Sequence, residues 1–134
     1  MNEILQFLKQ RNSVARLDGP APTDAELEDI VRAATRVPDH AWLRPWRFIS
    51  LRDERRAALG AVLEESLLRR EPEADAAARA KARNAPLRAP LLLVVVARLS
   101  EHPKGPAIEQ RLSAGCSAYA ALLAAEAMGY GGIW

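Results

Sequence analysis

Arg11, Asn12, Ser13 and Arg16 place two guanidiniums and a hydroxyl within six residues. Guanidinium forms bidentate, charge-assisted bonds to phosphate, and a serine hydroxyl adds a neutral donor. The same residues suit a helix exit, where cations complement the dipole; solvated arginines are common, and composition alone favours that plainer role. A second dense segment runs from Arg36 to Trp46 and holds two Trp, two Arg, one His and two Pro. Rigid loops with exposed aromatic and cationic side chains commonly carry binding surfaces. In this loop Arg36 and His40 read as ligand-facing, and Trp46 reads as a structural anchor. The third segment is Tyr130-Gly131-Gly132-Ile133-Trp134. Its glycines would let the backbone approach a flat ligand closely, or would serve only as a cap and turn.

Other chemistries find little support. The sequence contains no GxGxxG after a strand, no phosphate-binding Walker loop, no HExxH and no GxSxG. His40 and His102 are far apart, so a metal set built from His40 and Asp39 lacks partners at ligand spacing, and no metal is expected. The single cysteine, Cys116, excludes an intrachain disulfide. It sits in an apolar stretch and is expected to be a small buried hydrophobe rather than a reactive thiol.

These segments must be held by a scaffold. The chain has 134 residues, 49% hydrophobic and 27% charged, which suits one globular domain spanning residues 1–134. Lys and Arg nearly balance Asp and Glu, 19 against 17, which is not the footprint of a nucleic-acid binder. No apolar run reaches membrane-spanning length, and the N-terminus lacks a signal-peptide core, so a cytoplasmic protein is the expectation.

Ile4, Phe7 and Leu8 predict a short amphipathic helix ending near Arg11. Thr23 and Glu26 predict a capping box for a helix that stops before Pro38. Trp46 to Leu51 reads as a half-buried strand. A charged helix follows over 53–70, with Leu59, Val62, Leu63 and Leu67 on one stripe, and a second, Ala-rich helix over 73–83. The run Leu91 to Val96 predicts a strand buried on both faces. A helix over 107–128 is apolar nearly all round in its second half and should be central, with Gly129 as its C-cap. Tyr130 to Trp134 would open another strand. The class is α+β or a three-layer α/β arrangement, thin enough in strands that a second subunit is one way to cover it.

The order of motifs is specific although each alone is not. RxS-x-x-R (Arg11 to Arg16) is followed by R-x-P-D-H (Arg36 to His40) and P-W-R-F (Pro45 to Phe48). KARNAPLRAPLLLVVVA (Lys81 to Ala97) and SAGCSAYAALLAAEAMGYGGIW (Ser113 to Trp134) complete it. Nearly the whole chain thereby resembles the flavin-dependent nitroreductase family, and within it the compact bacterial NAD(P)H nitroreductases. The resemblance implies an α+β, three-layer sandwich with a central, mostly antiparallel sheet flanked by helices. It implies an obligate intertwined homodimer with one FMN at each of two interface sites.

On that resemblance Arg11, Asn12 and Ser13 would bind the phosphate and ribityl chain. Arg36 and His40 would approach the flavin held mainly by the other subunit. Gly132, Ile133 and Trp134 would run along the ring, and the 114–127 helix would be the dimerisation helix. The implied activity is NAD(P)H-driven, ping-pong reduction of nitroaromatic, quinone or related acceptors, with no catalytic side chain beyond the flavin. A flavin store or sensor, dehalogenation or enoate reduction on the same scaffold, and a cofactor-free helical interaction module are the alternatives. The sequence departs from the family in having Asn12 where a second Arg is frequent, and Trp42 and Arg44 where Asn and Gln are frequent. Family members also continue past GGIW by several tens of residues, so the resemblance implies that this chain is incomplete at its C-terminus.

Overall fold

The computed structural model describes residues 2–134. Its elements are α1 (Glu3–Gln10), α2 (Asp24–Ala34), β1 (Trp46–Arg52), α3 (Glu54–Arg70), α4 (Ala76–Asn84), β2 (Leu91–Ala97) and α5 (Ala107–Ala127). Short 3-10 turns lie at His40–Trp42 and Ala85–Arg88. The chain divides into two compact units. One contains residues through Ala15, Pro22–Ile49 and Val94–Trp134; the other contains Arg16–Ala21 and Ser50–Leu93.

In the first unit, helix ends follow their local signals. Asn2 caps α1 by accepting from the Leu5 amide at 3.1 Å. Thr23 and Glu26 form the expected reciprocal capping box at the start of α2. At the end of α5, the Gly129 amide donates to the Glu126 carbonyl (2.9 Å) and the Tyr130 amide to the Ala125 carbonyl (3.0 Å). With Gly129 at φ +91°, this is a Schellman motif, as a glycine there predicts.

α2 packs along α5. The buried residues of the two helices include Ile30 and Ala34 on α2 and Ser113, Ala114, Ser117 and Ala121 on α5. The small residues on α5 let the two helices approach closely. Gln110 satisfies its buried amide on the neighbouring loop: it accepts from Ser100 N (2.9 Å) and donates to Ser100 O (2.8 Å) and Gly105 O (2.7 Å). Ser113 Oγ donates to Pro38 O at 2.8 Å, which ties the loop after α2 to the first half of α5.

β1 and β2 pair as a two-stranded sheet. The Arg98 amide bonds the Pro45 carbonyl at 3.0 Å, so the start of β1 meets the end of β2 and the pair is antiparallel.

In the second unit, α3 and α4 pack together at Gly60, where a Cβ would overlap the Arg83 carbonyl oxygen. Glu64 accepts from Arg79 Nε (3.0 Å) and from an Arg83 guanidinium nitrogen (3.2 Å). Asp75 caps α4 through Ala78 N at 2.8 Å. Of the expected α3 stripe, Leu59 and Leu67 are half-buried, while Val62 and Leu63 are exposed.

Four further expectations are corrected. β2 is half-buried over Leu91–Val95 and exposed at Val96 and Ala97, not buried on both faces. Its apolar run records what the strand would tolerate, and a two-stranded ladder is too thin to enclose it. α5 buries one face only; Ile108, Leu112, Cys116 and Tyr119 lie exposed on the other. Cys116 is therefore exposed rather than buried, because it falls at the i+8 position from Ile108, away from α2. Tyr130–Trp134 is not assigned as a strand. It meets the residues after α1 at one backbone bond, Val14 N to Gly132 O at 3.0 Å, too little for a ladder.

Candidate functional site

α1 stops because Arg11 leaves the helical region for extended backbone (φ −52°, ψ 130°). The turn carries the Arg11 side chain toward the last turn of α5. There its NH1 lies 3.8 Å from Glu126 Oε1 and 3.4 Å from Ser13 Oγ. A cleft of about 260 Å³ opens between these two helix ends. Phe7, Gln10, Arg11 and Asn12 line one side, and Glu126, Tyr130 and Gly131 line the other.

The structure thus brings together Arg11, Asn12 and the glycine segment, drawn from opposite ends of the sequence. Ser13 is exposed beside Arg11. Gly132 is half-buried, and a Cβ there would overlap the Leu122 side chain. Gly132 therefore packs against the end of the Leu122 side chain, which would have to turn aside for a Cβ. Ile133 is exposed, and Trp134 is 79% exposed.

Arg36 and His40 do not line this cleft. Both are exposed on the loop after α2. His40 Nδ1 lies 2.7 Å from Glu109 Oε2, in the first turn of α5. The Glu109 and Glu126 positions are separated by ~25 Å along the helix axis at 1.5 Å per residue. His40 and Arg11 therefore meet α5 near its opposite ends.

The loop with His40 is held in an uncommon backbone. Ala41, Trp42 and Arg44 have φ of 65°, 54° and 50°, a region that non-glycine residues seldom occupy. Asp39 holds it by accepting from Leu43 N (3.2 Å) and Arg44 N (2.9 Å). Trp42 is 76% exposed, with the Arg44 guanidinium 5.8 Å from its ring centroid, a cation–π distance. Backbone strain of this kind collects at functional sites.

Sequence reasoning gave no functional role to Glu126, and none to the partnership of Tyr130 with Glu26. The available signal for Glu126 was a carboxylate inside an apolar helix. Tyr130 Oη donates to Glu26 Oε2 at 2.8 Å, and that oxygen also accepts from Thr23 N (2.8 Å) and Thr23 Oγ1 (3.0 Å). The glycine segment is so tied to the N-terminus of α2. The Thr23 amide, then Tyr130 and the Thr23 hydroxyl, hold the Glu26 carboxyl below the usual carboxylate range. Hydrogen bonding to Glu26, with burial and the charge of Glu26 behind it, pushes the Tyr130 phenol above its ordinary value.

The signs define a window. A depressed carboxyl stabilises the fold fully above its unfolded pKa of about 4.3, and that contribution is lost as pH falls through the folded value. A raised phenol contributes below about pH 10 and loses its contribution above. The melting-temperature difference between wild type and Tyr130→Phe is therefore expected to be flat from about pH 5 to 9 and to shrink beyond both limits. A difference independent of pH from 3 to 11 would remove this bond from the account.

Among solved structures, a nitroreductase-like family protein from Bacillus cereus superposes with a TM-score of 0.79 at 23% identity, covering all of this chain and 70% of that one. A nitroreductase with bound FMN from Bacteroides fragilis gives 0.72 at 20% identity, covering 96% of this chain and 67% of the other. The fold is thus the α+β fold of the nitroreductase-like proteins. Residues 8–134 match the Nitroreductase family. The Escherichia coli K12 protein called "Putative NAD(P)H nitroreductase YdjA" is 46% identical over 132 residues, 98% of this chain and 71% of that protein. A Haemophilus influenzae protein of like name is 38% identical over 133 residues, again 71% of its length. The chain belongs to the nitroreductase family, a family of oxidoreductases.

Proposed function

We propose that the chain works as an FMN-dependent oxidoreductase, two copies together, using NAD(P)H to reduce nitroaromatic, quinone or related acceptors by a ping-pong scheme. The observation that carries the reading is Arg11, turned into a cleft that the glycine segment also lines. FMN is bound in the B. fragilis structure, and NAD(P)H stands in the names of the curated relatives.

The donor set fits one end of such a group. A guanidinium, a serine hydroxyl and a short polar side chain suit a phosphate and the start of a ribityl chain. A cleft of about 260 Å³ suits that end rather than the whole flavin. Bound FMN would supply hydride transfer, taking a hydride from the nicotinamide and passing it to the acceptor that replaces it. The chain's own work would be binding and electrostatics: Arg11 would hold the phosphate, and the backbone of Gly132, Ile133 and Trp134 would lie along the flavin.

Arg36 and His40 are assigned to the cleft of a second copy. The ~25 Å along α5 between Glu109, which His40 contacts, and Glu126, which Arg11 approaches, supports this for His40. The exposed apolar row Ile108, Leu112, Cys116 and Tyr119 supports α5 as the surface that copy covers.

Protein saturated with FMN, freed of excess ligand, is expected to be yellow and to oxidise NADH or NADPH with a nitroaromatic acceptor. Protein that stays colourless after reconstitution sinks the reading. A yellow protein without turnover favours flavin storage instead.

A further inference from the structure

We propose that Glu126 is the positioning residue for Arg11, holding its guanidinium where the phosphate end of FMN binds. The inference rests on the reading of Arg11 given above. Glu126 lies in the last turn of α5, where the helix dipole opposes a negative charge. Its side chain is only 12% exposed, and its Oε1 is buried without a hydrogen-bond partner. A carboxylate so placed is disfavoured by its own helix and by desolvation, and a nearby cation must offset both. That cation is Arg11, itself 25% exposed, with NH1 at 3.8 Å from Oε1.

The spacing has a consequence. At 3.8 Å the pair attracts but is longer than a hydrogen bond, so Glu126 orients the guanidinium without consuming its donors. The backbone of Glu126 is fixed as well, because its carbonyl accepts from Gly129 in the Schellman motif. A carboxylate on a fixed helix end therefore sets the direction of a side chain that leaves the extended turn after α1. Without the negative charge, a half-buried guanidinium is freed to swing toward water.

Fluorescence titration with FMN and with riboflavin, the same flavin without phosphate, tests this. Glu126→Gln is expected to weaken FMN binding about three- to tenfold, the scale of a partly buried ion pair. Riboflavin affinity should be unchanged, and Glu126→Gln should have no further effect in an Arg11→Ala background. Glu126→Asp keeps the charge one methylene further back and is expected to fall between wild type and Gln. Equal losses for both flavins would mark a structural role and overturn the proposal. Tighter FMN binding by Glu126→Gln would make the carboxylate a competitor of the phosphate and overturn it too. If Arg11→Ala weakens FMN but Glu126→Gln does not, only this inference fails. If Arg11→Ala leaves FMN affinity intact, the underlying reading of Arg11 fails with it.

Discussion

Arg11→Ala is expected to weaken FMN binding by about 10- to 150-fold, the ratio that corresponds to losing a charged hydrogen bond worth ~1.5–3 kcal/mol. The effect should be large because few other cations stand near. The position after Arg11 is Asn12, not a second arginine, and Arg36 is not among the residues of the cleft. Among the described residues that line the cleft, Arg11 is the one cation. Arg11→Lys should recover part of the loss, since it keeps the charge but not the planar fork. Equilibrium titration of apoprotein with FMN measures both, and an unchanged dissociation constant for Arg11→Ala removes the residue from the site.

Gly60→Ala is expected to destabilise the α3–α4 unit, against what helix propensity alone says. Propensity favours alanine over glycine in a helix interior by about 1 kcal/mol. At Gly60, however, the added methyl would overlap a backbone carbonyl oxygen, with the Arg83 carbonyl carbon 3.1 Å away. A side chain can rotate out of such a contact; the end of α4 cannot. Overpacking of this kind costs about 1–3 kcal/mol, and a backbone neighbour puts it at the upper end. The net loss should be about 1–2 kcal/mol, read as a melting temperature lower by roughly 5 °C. A variant that melts higher than wild type would show that α3 and α4 do not meet at Gly60.

What was legible in the sequence was local. Thr23 with Glu26, and Gly129 after an apolar helix, are signals a few residues long, and both caps form as expected. The strand at 46–52 is equally a matter of local pattern. What was not legible depends on distant neighbours. Cys116 and Val96 look like core residues because hydrophobicity records preference, while burial depends on which element lies opposite. The left-handed backbone at Ala41, Trp42 and Arg44 has no glycine to announce it. Asp39 holds that geometry from the side, through bonds that no composition reveals. The site divides along the same line. The pairing of Arg11 with Glu126 joins the two ends of the chain, and Glu26 with Tyr130 nearly does so. Neither pair has a periodicity or a motif. The resemblance to a family supplied Arg11 and the glycines; it supplied neither carboxylate.

α5 also acts as a spacer of fixed length. Its 21 residues carry the His40 contact at Glu109 and the Arg11 contact at Glu126. In the proposed pair of copies, two antiparallel α5 helices related by a two-fold axis near the helix midpoint would exchange these ends, and each copy would then complete the other's cleft. The midpoint falls at Ser117 and Ala118, beside Gly115 and Cys116, where small side chains permit close approach. The interval between the two contacts then matters more than most residues within it. A single inserted residue would turn one end by about 100° relative to the other and lengthen the spacer by ~1.5 Å. Both half-sites would lose register together, in both copies.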